Sequence, residues 1–336
     1  MSRPVVAAGR AAAIRTAAAR SAAIGALLFT AHAAAAPKPT LAAPTRPSRA
    51  AQFPTPRAMT IEVLATHPHD RAAYTQGLVW EDGTLWESTG LNGQSSLRRV
   101  EPATGAVLQQ RDIGAAHFAE GLARVGDRLI QLTWRTGRAF IWDKRSFEPL
   151  GEIAYGGEGW GLCHNGTDLI MSDGSDTLFI RDATTFAIKD RVPVQIAGEP
   201  LANLNELECF GDAVYANVWR ETFIVRIDLA TGDVIERIDG APLDNAIRVK
   251  YGFNDPYDCL NGIAHVPEGD RFLVTGKHWP ELYEVRFRAT GGEPTGTPSP
   301  SGTSSATSLP TATATATPTS LHRWVIYLPW SNRSRR

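Results

Sequence analysis

The amino-acid sequence predicts an all-β protein, a five-bladed β-propeller, from three observations. First, residues 58–290 contain five segments with one layout: a polar, mostly glycine-containing signal, a short strand, a tight turn and a second strand. Second, acidic turn residues recur at spacings of 42, 39 and 46 in the order Glu101, Asp143, Asp182 and Asp228. Such spacings are typical of four-stranded propeller blades. Third, no long amphipathic helical pattern competes with the strands, which argues against a βα architecture.

The five repeated segments justify the blade count one by one. They span residues 76–89, 120–134, 160–173, 205–219 and 261–277. Turns such as Asp82-Gly83 and Gly211-Asp212 have the chemistry of two-residue hairpins. A second hairpin follows each of the first four segments, so five repeats predict five blades.

The composition on either side of the repeats predicts four flanking parts. Basic residues and then an apolar run that closes on four alanines favour an export signal peptide, and therefore a secreted or cell-surface protein. The expected parts are a signal peptide at 1–36, a disordered Pro/Ala-rich lead-in at 37–57, the propeller at 58–290, a Thr/Ser/Pro-rich linker at 291–320 and an apolar-basic tail at 321–336. The tail is interpreted either as an anchoring or sorting signal or as a ragged terminus.

Charge is segregated along the 336 residues, which contain 34 basic and 35 acidic side chains. Residues 1–57 hold eight basic side chains and residues 294–336 hold four, and neither region has an acid. With these twelve positive charges outside them, residues 58–293 carry a net charge of −13, against −1 for the whole chain. So acidic a body is a poor match for a phosphate backbone, and we expect no nucleic-acid partner.

Membrane spans, metals and partner subunits are also not expected. The apolar run near the start is shorter than the ~20 residues that a bilayer needs. Cys163, Cys209 and Cys259 allow at most one disulfide, and no Cys-x-x-Cys pattern or histidine cluster predicts a metal site or cofactor. A closed propeller has no need of a partner, so we expect a monomer.

Equivalent positions of the repeats are expected to meet at one end of the propeller axis. The starts of the first strands supply Tyr74, Gln76, Phe118, Glu120, Trp160, Asn205 and Asn261, and the ends of the second strands add Glu87, Trp134, Asp173, Trp219 and Lys277. An apolar cup with a few polar groups is typical of a small-molecule site. Each tryptophan taken alone is as well explained by packing between blades. Glu120 is harder to explain in this way, because a carboxylate among rings needs a partner or a proton.

Ten short motifs lie within residues 60–287, and their order along the chain is part of the resemblance that follows. Among them are Tyr74-Thr-Gln-Gly-Leu78, Phe118-Ala-Glu-Gly-Leu122, Leu204-Asn-Glu-Leu-Glu208 and Thr275-Gly-Lys-His-Trp-Pro280. Together they resemble the glutamine cyclotransferase family, the glutaminyl-peptide cyclotransferases of plant and bacterial type. Two mild departures are Tyr74, where the family pattern has Phe, and Ala119, where it has Gly.

The resemblance implies a five-bladed propeller enzyme, an acyltransferase that converts the N-terminal glutamine of peptides and proteins into pyroglutamate and releases ammonia without a metal. It implies that Glu120 transfers the proton and that Gln76, Asn205 and Lys277 contact polar groups of the substrate. The chemistry favours Lys277 as the contact for the oxyanion or carbonyl, helped by the amides of Asn205 and Gln76. The implied pocket wall consists of Tyr74, Phe118, Trp134, Trp160 and Trp219. We expect the rings to raise the pKa of Glu120. An alternative for Lys277 is an ion pair that only keeps Glu120 ionised.

Two other functions fit the same pattern. One is a non-catalytic extracytoplasmic propeller that binds a ligand. The other is a calcium-dependent propeller lactonase or hydrolase, with oxygen ligands from Glu87, Asp173, Asn205, Glu206 and Asn261. A chelator distinguishes the last reading, because only cyclisation is expected to survive EDTA.

Overall fold

Alternating apolar residues and two-residue turns give 22 strands and one short helix in the computed structural model, which describes residues 53–290. The strands of the first half are β1 (Arg57–Pro68), β2 (Thr75–Glu81), β3 (Thr84–Thr89), β4 (Ser96–Glu101), β5 (Ala106–Asp112), β6 (Ala119–Val125), β7 (Arg128–Thr133), β8 (Arg138–Asp143), β9 (Pro149–Ala154), β10 (Leu162–His164) and β11 (Asp168–Met171). Those of the second half are β12 (Thr177–Asp182), β13 (Ile188–Pro193), β14 (Gln195–Ile196), β15 (Glu199–Pro200), β16 (Leu204–Phe210), β17 (Ala213–Val218), β18 (Phe223–Asp228), β19 (Val234–Asp239), β20 (Leu260–Val266), β21 (Arg271–Gly276) and β22 (Glu281–Ala289). The helix α1 (Ala241–Tyr251) lies between β19 and β20. The all-β prediction is therefore confirmed, whereas the predicted signal peptide, the linker, the tail and most of the lead-in lie outside the described residues.

The sheets are propeller-like, and among the described strands every pair except β1 with β19 is antiparallel. Three of them have four strands in chain order, β2 to β5, β6 to β9 and β10 to β13, and β14 pairs only with β15. The remaining strands form one eight-stranded sheet in the order β16-β17-β18-β19-β1-β22-β21-β20.

Strand β1 joins the two ends of the described chain. It pairs antiparallel with β22 and, over four residues, parallel with β19. The fifth repeat supplies only three strands, so β1 completes its sheet. The sequence did not predict this closure, because residues 57–68 carry no repeat signal of their own.

The first strands of successive sheets lie side by side. Strand β2 contacts both β6 and β20, β6 contacts β10, β10 contacts β16, and β16 contacts β20. Glycines permit this approach: a Cβ added to Gly77 would lie 2.6 Å from the backbone nitrogen of Leu122, and one on Gly161 would lie 1.9 Å from the carbonyl oxygen of Asn205. The glycine that begins several repeats is thus required by the close contact between neighbouring sheets.

Apolar side chains fill the space between neighbouring sheets. In one cluster, Trp86 of β3 and Trp142 of β8 pack with Leu122 and Phe147. Each such side chain, once buried, contributes about 1.5–3 kcal/mol of transfer free energy. A disulfide between Cys163 of β10 and Cys209 of β16 links two neighbouring first strands, and Cys259 is free and buried.

Within residues 53–290, no helix has both the length and the apolar character needed to cross a bilayer.

Candidate active site

A cavity of about 270 Å³ lies at the end of the first strands where the repeats begin. Its lining consists of Tyr74, Gln76, Phe118, Glu120, Trp134, Trp160, Asn205, Trp219, Tyr257 and Lys277. The structure therefore brings together nine of the twelve side chains that the sequence placed at this end, and these nine are the ones to which the resemblance assigns a role. Sequence reasoning missed Tyr257, which lies in an irregular segment before β20 and carries no repeat signal.

A break in strand pairing occurs at the polar residue that begins each of four first strands. The register shifts between Thr75 and Gly77, and again between Ala119 and Leu122. Equivalent shifts occur at Asn205 in β16 and at Asn261 in β20. A bulge leaves a residue unpaired and redirects its side chain, which explains how Gln76, Glu120 and Asn205 face the cavity rather than a neighbouring sheet.

Glu120 is a buried carboxyl group without a protein partner. Its side chain belongs to a residue that is 5% exposed, and within the described part of the chain no hydrogen bond or salt bridge reaches the carboxyl oxygens. Burial raises the pKa of Glu120 well above its usual value; Lys277 partly opposes this effect and the negative charge of Glu158 adds to it. The direction agrees with the sequence expectation.

Lys277 supplies the cavity's ammonium group and is 2% exposed. Its Nζ lies 5.0 Å from the centroid of the Tyr74 ring. Burial lowers the pKa of Lys277, although Cys259 and Glu120 favour the charged form. No salt bridge joins Lys277 to Glu120 among residues 53–290, although their charges attract each other at longer range. The alternative in which the lysine only pairs with the glutamate therefore has no direct contact to support it.

Two amide side chains complete the polar lining. The Oδ1 atom of Asn205 is buried and has no hydrogen-bond partner within the described residues. The Oε1 atom of Gln76 accepts a hydrogen bond from Nδ2 of Asn261 at 3.2 Å, and the same Nδ2 donates to the carbonyl oxygen of Thr75 at 2.9 Å. Asn261 therefore orients Gln76 from behind instead of lining the cavity, which corrects its predicted position.

Six aromatic rings wall the cavity. On one side Tyr74 meets Phe118 edge-on at 6.0 Å between centroids, and Phe118 meets Trp134 at 5.6 Å. On the other side Trp160 meets Trp219 edge-on at 5.5 Å, and Trp219 lies 5.8 Å from Tyr257. The side chains of this wall are held by each other as well as by the strands that carry them.

Glu87 and Asp173 do not reach the cavity lining, contrary to expectation. Glu87 lies 3.0 Å from Nε2 of His69 and accepts a hydrogen bond from Thr75 at 2.8 Å. Asp173 accepts hydrogen bonds from the backbone nitrogen and hydroxyl of Ser175 and so shapes a turn. The end of a second strand was correctly placed in both cases, but the repeat pattern does not determine which way each side chain points.

Glu206 is likewise engaged with the backbone. Its two carboxyl oxygens accept hydrogen bonds from the nitrogens of Leu78 at 3.2 Å and Ile263 at 2.8 Å. Three of the five oxygen ligands of the calcium reading, Glu87, Asp173 and Glu206, thus serve separate structural contacts. No group of three His, Cys, Asp or Glu side chains suited to a metal occurs in the described residues.

The sheets that carry this cavity are propeller-like, and the sequence identifies the class of protein: residues 32–287 match the family model described as glutamine cyclotransferase, and the chain belongs to that family. The sequence is 39% identical over 230 residues to the glutaminyl-peptide cyclotransferase of Arabidopsis thaliana, a match that covers 68% of this chain and 71% of the plant protein. The structure is similar to the crystal structure of Myxococcus xanthus glutaminyl cyclase, with a TM-score of 0.66 and 37% identity. That match covers 70% of this chain and 99% of the bacterial one. The resemblance inferred from the motifs is confirmed.

Proposed function

We propose that the protein converts the N-terminal glutamine of peptides into pyroglutamate and releases ammonia, with Glu120 as the proton carrier. One observation carries the proposal: a carboxyl group and an ammonium group are buried in the same ring-walled cavity and do not pair with each other. Family membership supports the same reaction.

The reaction closes a five-membered ring within the substrate. The α-amine attacks the γ-carboxamide carbon, and the bond from that carbon to the amide nitrogen then breaks. The attacking amine must lose a proton and the departing NH₂ must gain one. Glu120 accepts the first proton and delivers the second, which leaves the enzyme unchanged and accounts for both transfers. A positioned acid–base group of this kind contributes about 10²–10⁴ in rate.

The raised pKa of Glu120 suits this role, because a group that must both take and return a proton works best when its pKa lies near the operating pH. Burial without a partner is the cause of the shift. A carboxylate held by full hydrogen bonds would be too weak a base.

The other polar groups fit the charge that develops on the substrate. Lys277 is the best donor to the oxyanion of the tetrahedral intermediate, since a preorganised charge in a buried site costs little reorganisation. The unpaired Oδ1 of Asn205 suits a substrate N–H, and the Gln76 amide, oriented through its oxygen by Asn261, presents its NH₂ group as a donor. The rings of the wall exclude water and hold the glutamine folded, which removes much of the entropic cost of cyclisation.

The proposal is tested by ammonia release from a short Gln-initiated peptide, with mass analysis of the product. We expect release, a product lighter by one ammonia, and no effect of EDTA, because no step requires a metal. A peptide that begins with Asn is the matched control, since the same attack would need a four-membered ring. No ammonia from folded protein would favour a binding module, and loss of activity in EDTA would contradict metal independence.

The number of blades follows from the order of the first strands. We propose five, because the contacts run from β2 through β6, β10, β16 and β20 and return to β2. On this interpretation the eight-stranded sheet is two blades joined at their outer strands by β1. Such a ring needs no second subunit, and size-exclusion chromatography with light scattering is expected to give a monomer.

We also propose that the protein is exported and acts at or outside the cell surface. The signal-like sequence of residues 1–36 favours this, and the Cys163–Cys209 disulfide supports it, because disulfides persist in oxidising compartments. Fractionation of cells that express the full chain tests the location, and retention in the cytoplasm would contradict it.

A further inference from the structure

Glu158 lies between two indoles of the cavity wall, although the sequence did not single it out. Its Oε2 atom accepts hydrogen bonds from Nε1 of Trp134 at 2.6 Å and from Nε1 of Trp160 at 3.0 Å. Its Oε1 atom accepts a hydrogen bond from Nε of Arg135 at 2.8 Å. One carboxylate thus holds two rings that belong to neighbouring sheets.

This contact spans the one gap along the arc of six rings from Tyr74 to Tyr257. Along that arc each ring has an aromatic contact with the next, except that no ring contact joins Trp134 to Trp160 in the described part of the chain. Glu158 therefore connects the two halves of the wall through the hydrogen bonds that it accepts from Trp134 and Trp160.

We propose that Glu158 is a positioning residue that fixes Trp134 and Trp160 and so sets the width of the cavity for the glutamine side chain. The inference rests on the proposed function, because it names the substrate of that same site. Glu158 acts on the cavity wall through the two indoles and does not line the cavity itself. Its charge also adds to the raised pKa of Glu120, and Glu158→Gln, which removes the charge but keeps an acceptor oxygen, separates the two effects.

The local backbone suits this role. Glu158 lies in a loop between β9 and β10 with glycines on both sides, and Gly157 has a φ of 86° that favours glycine. The backbone nitrogen of Gly159 donates to the carbonyl oxygen of Trp134 at 2.9 Å, which ties the loop to the residue that Glu158 holds.

The indole hydrogen bonds, rather than the ion pair, are expected to carry the effect. Side chains of Arg135 and Glu158 are 64% and 36% exposed, and salt bridges at such exposure contribute little. Hydrogen bonds to a charged acceptor are the stronger kind. Although burial alone raises the pKa of Glu158, the hydrogen bonds from Arg135, Trp160 and Trp134 lower it, so the acceptor is charged at neutral pH.

The kinetic test compares Glu158→Ala and Glu158→Gln with Glu152→Ala. Glu152 is a matched control because it also pairs with an exposed arginine, Arg138, but touches no indole. We expect Glu158→Ala to raise KM about tenfold, with kcat changed less than about threefold, because loosened walls weaken substrate binding more than chemistry. Glu158→Gln keeps an acceptor oxygen and is expected to recover most of this loss. A wild-type KM in Glu158→Ala would overturn the proposal. So would an equal increase of KM in Glu158→Ala and Glu158→Gln.

A double-mutant cycle tests whether the effect passes through the indoles. In a Trp134→Phe background one of the two N–H donors is absent, so Glu158→Ala is expected to change KM by a smaller factor than in the wild type. Additive effects would mean that Glu158 acts by another route.

Indole N–H resonances in the NMR spectrum test the contact independently of turnover. The chain has nine tryptophans, and Glu158→Ala is expected to move the signals of two of them upfield, whereas Glu152→Ala moves neither. If the wild type released no ammonia but these two signals moved, the proposed reaction would fail and the positioning role of Glu158 would stand. Unmoved signals would overturn that positioning role whatever the activity.

Discussion

Two buried carboxyl groups in neighbouring sheets, Glu87 and Glu120, differ in the partners that surround them. Glu87 is 1% exposed and is held by His69 and Thr75, whereas Glu120 is 5% exposed and has no partner within residues 53–290. Burial alone raises the pKa of either group, but the attraction and hydrogen bonds of His69 lower that of Glu87. A buried carboxylate whose oxygens have hydrogen-bond partners has a structural role. A buried carboxyl group that lacks such partners and faces a cavity is available for chemistry.

Apart from changes to Glu120 itself, the largest effect is expected from Lys277→Met, which tests the cavity side of this comparison. Loss of the donor to the developing oxyanion is expected to lower kcat by about 10²–10³. Thermal stability should not fall, because an unpaired buried ammonium is removed. Ammonia release at saturating peptide measures kcat, and Lys250→Met, at an exposed lysine paired with Glu281, is the control. Unchanged kcat would remove Lys277 from the mechanism.

The second prediction concerns Glu87, the buried carboxylate that has hydrogen-bond partners. Glu87→Gln is expected to lower the free energy of unfolding by about 2–4 kcal/mol, because His69 is left buried without its charge partner. The kcat of the folded fraction should stay within about threefold of the wild type, since Glu87 does not touch the cavity. Urea denaturation and ammonia release measure the two quantities.

The pH dependence of that loss follows from the two pKa shifts. The pKa of Glu87 is lowered, so the contribution of Glu87 to stability disappears as the pH falls through the pKa that Glu87 has in the folded protein. The pKa of His69 is raised, so the contribution of His69 disappears as the pH rises through the pKa that His69 has in the folded protein. The destabilisation of Glu87→Gln should therefore be greatest in the mildly acidic range between the two. A destabilisation by Glu87→Gln that stayed constant from pH 4 to pH 9 would contradict this assignment of partners to Glu87.

The smallest effect is expected at Glu208, a partly exposed carboxyl group at the opposite end of the first strands. Burial raises its pKa to about 8, and one hydrogen bond from the backbone nitrogen of His265 opposes this. Near pH 7 the unfolded chain loses this proton and the folded protein keeps it, so Glu208 destabilises the fold at that pH. Taken at face value, the shift corresponds to about 3 kcal/mol at pH 7. Solvent around the partly exposed side chain reduces this figure, so Glu208→Gln should stabilise the protein by about 1 kcal/mol at pH 7 and by nothing at pH 4. Differential scanning calorimetry at the two pH values checks the sign, and an equal effect at both would contradict it.

Nine of the ten cavity side chains were predictable because the repeats place equivalent positions at one end of the strands. The errors at Glu87, Asp173 and Asn261 have a common cause: bulges and turns, which decide where a side chain points, leave only a weak trace in the sequence. Tyr257 and Glu158 were missed because both lie in segments outside the hairpins.

Other features depend on contacts between distant parts of the chain. The parallel pairing of β1 with β19 joins residues about 180 positions apart, and no local pattern signals it. The pairing of Cys163 with Cys209 depends on β10 and β16 lying side by side, and no local pattern in the sequence signals that contact.

The most direct test of the account compares Glu120→Gln with the wild type in one assay of ammonia release and one of thermal unfolding. The account predicts that kcat falls by about 10²–10⁴ while Tm stays the same or rises, because the variant loses the proton carrier and keeps the shape of the cavity. Wild-type kcat in the variant would contradict the assignment of Glu120. A fall in Tm like that expected for Glu87→Gln would show instead that Glu120 is a structural carboxylate.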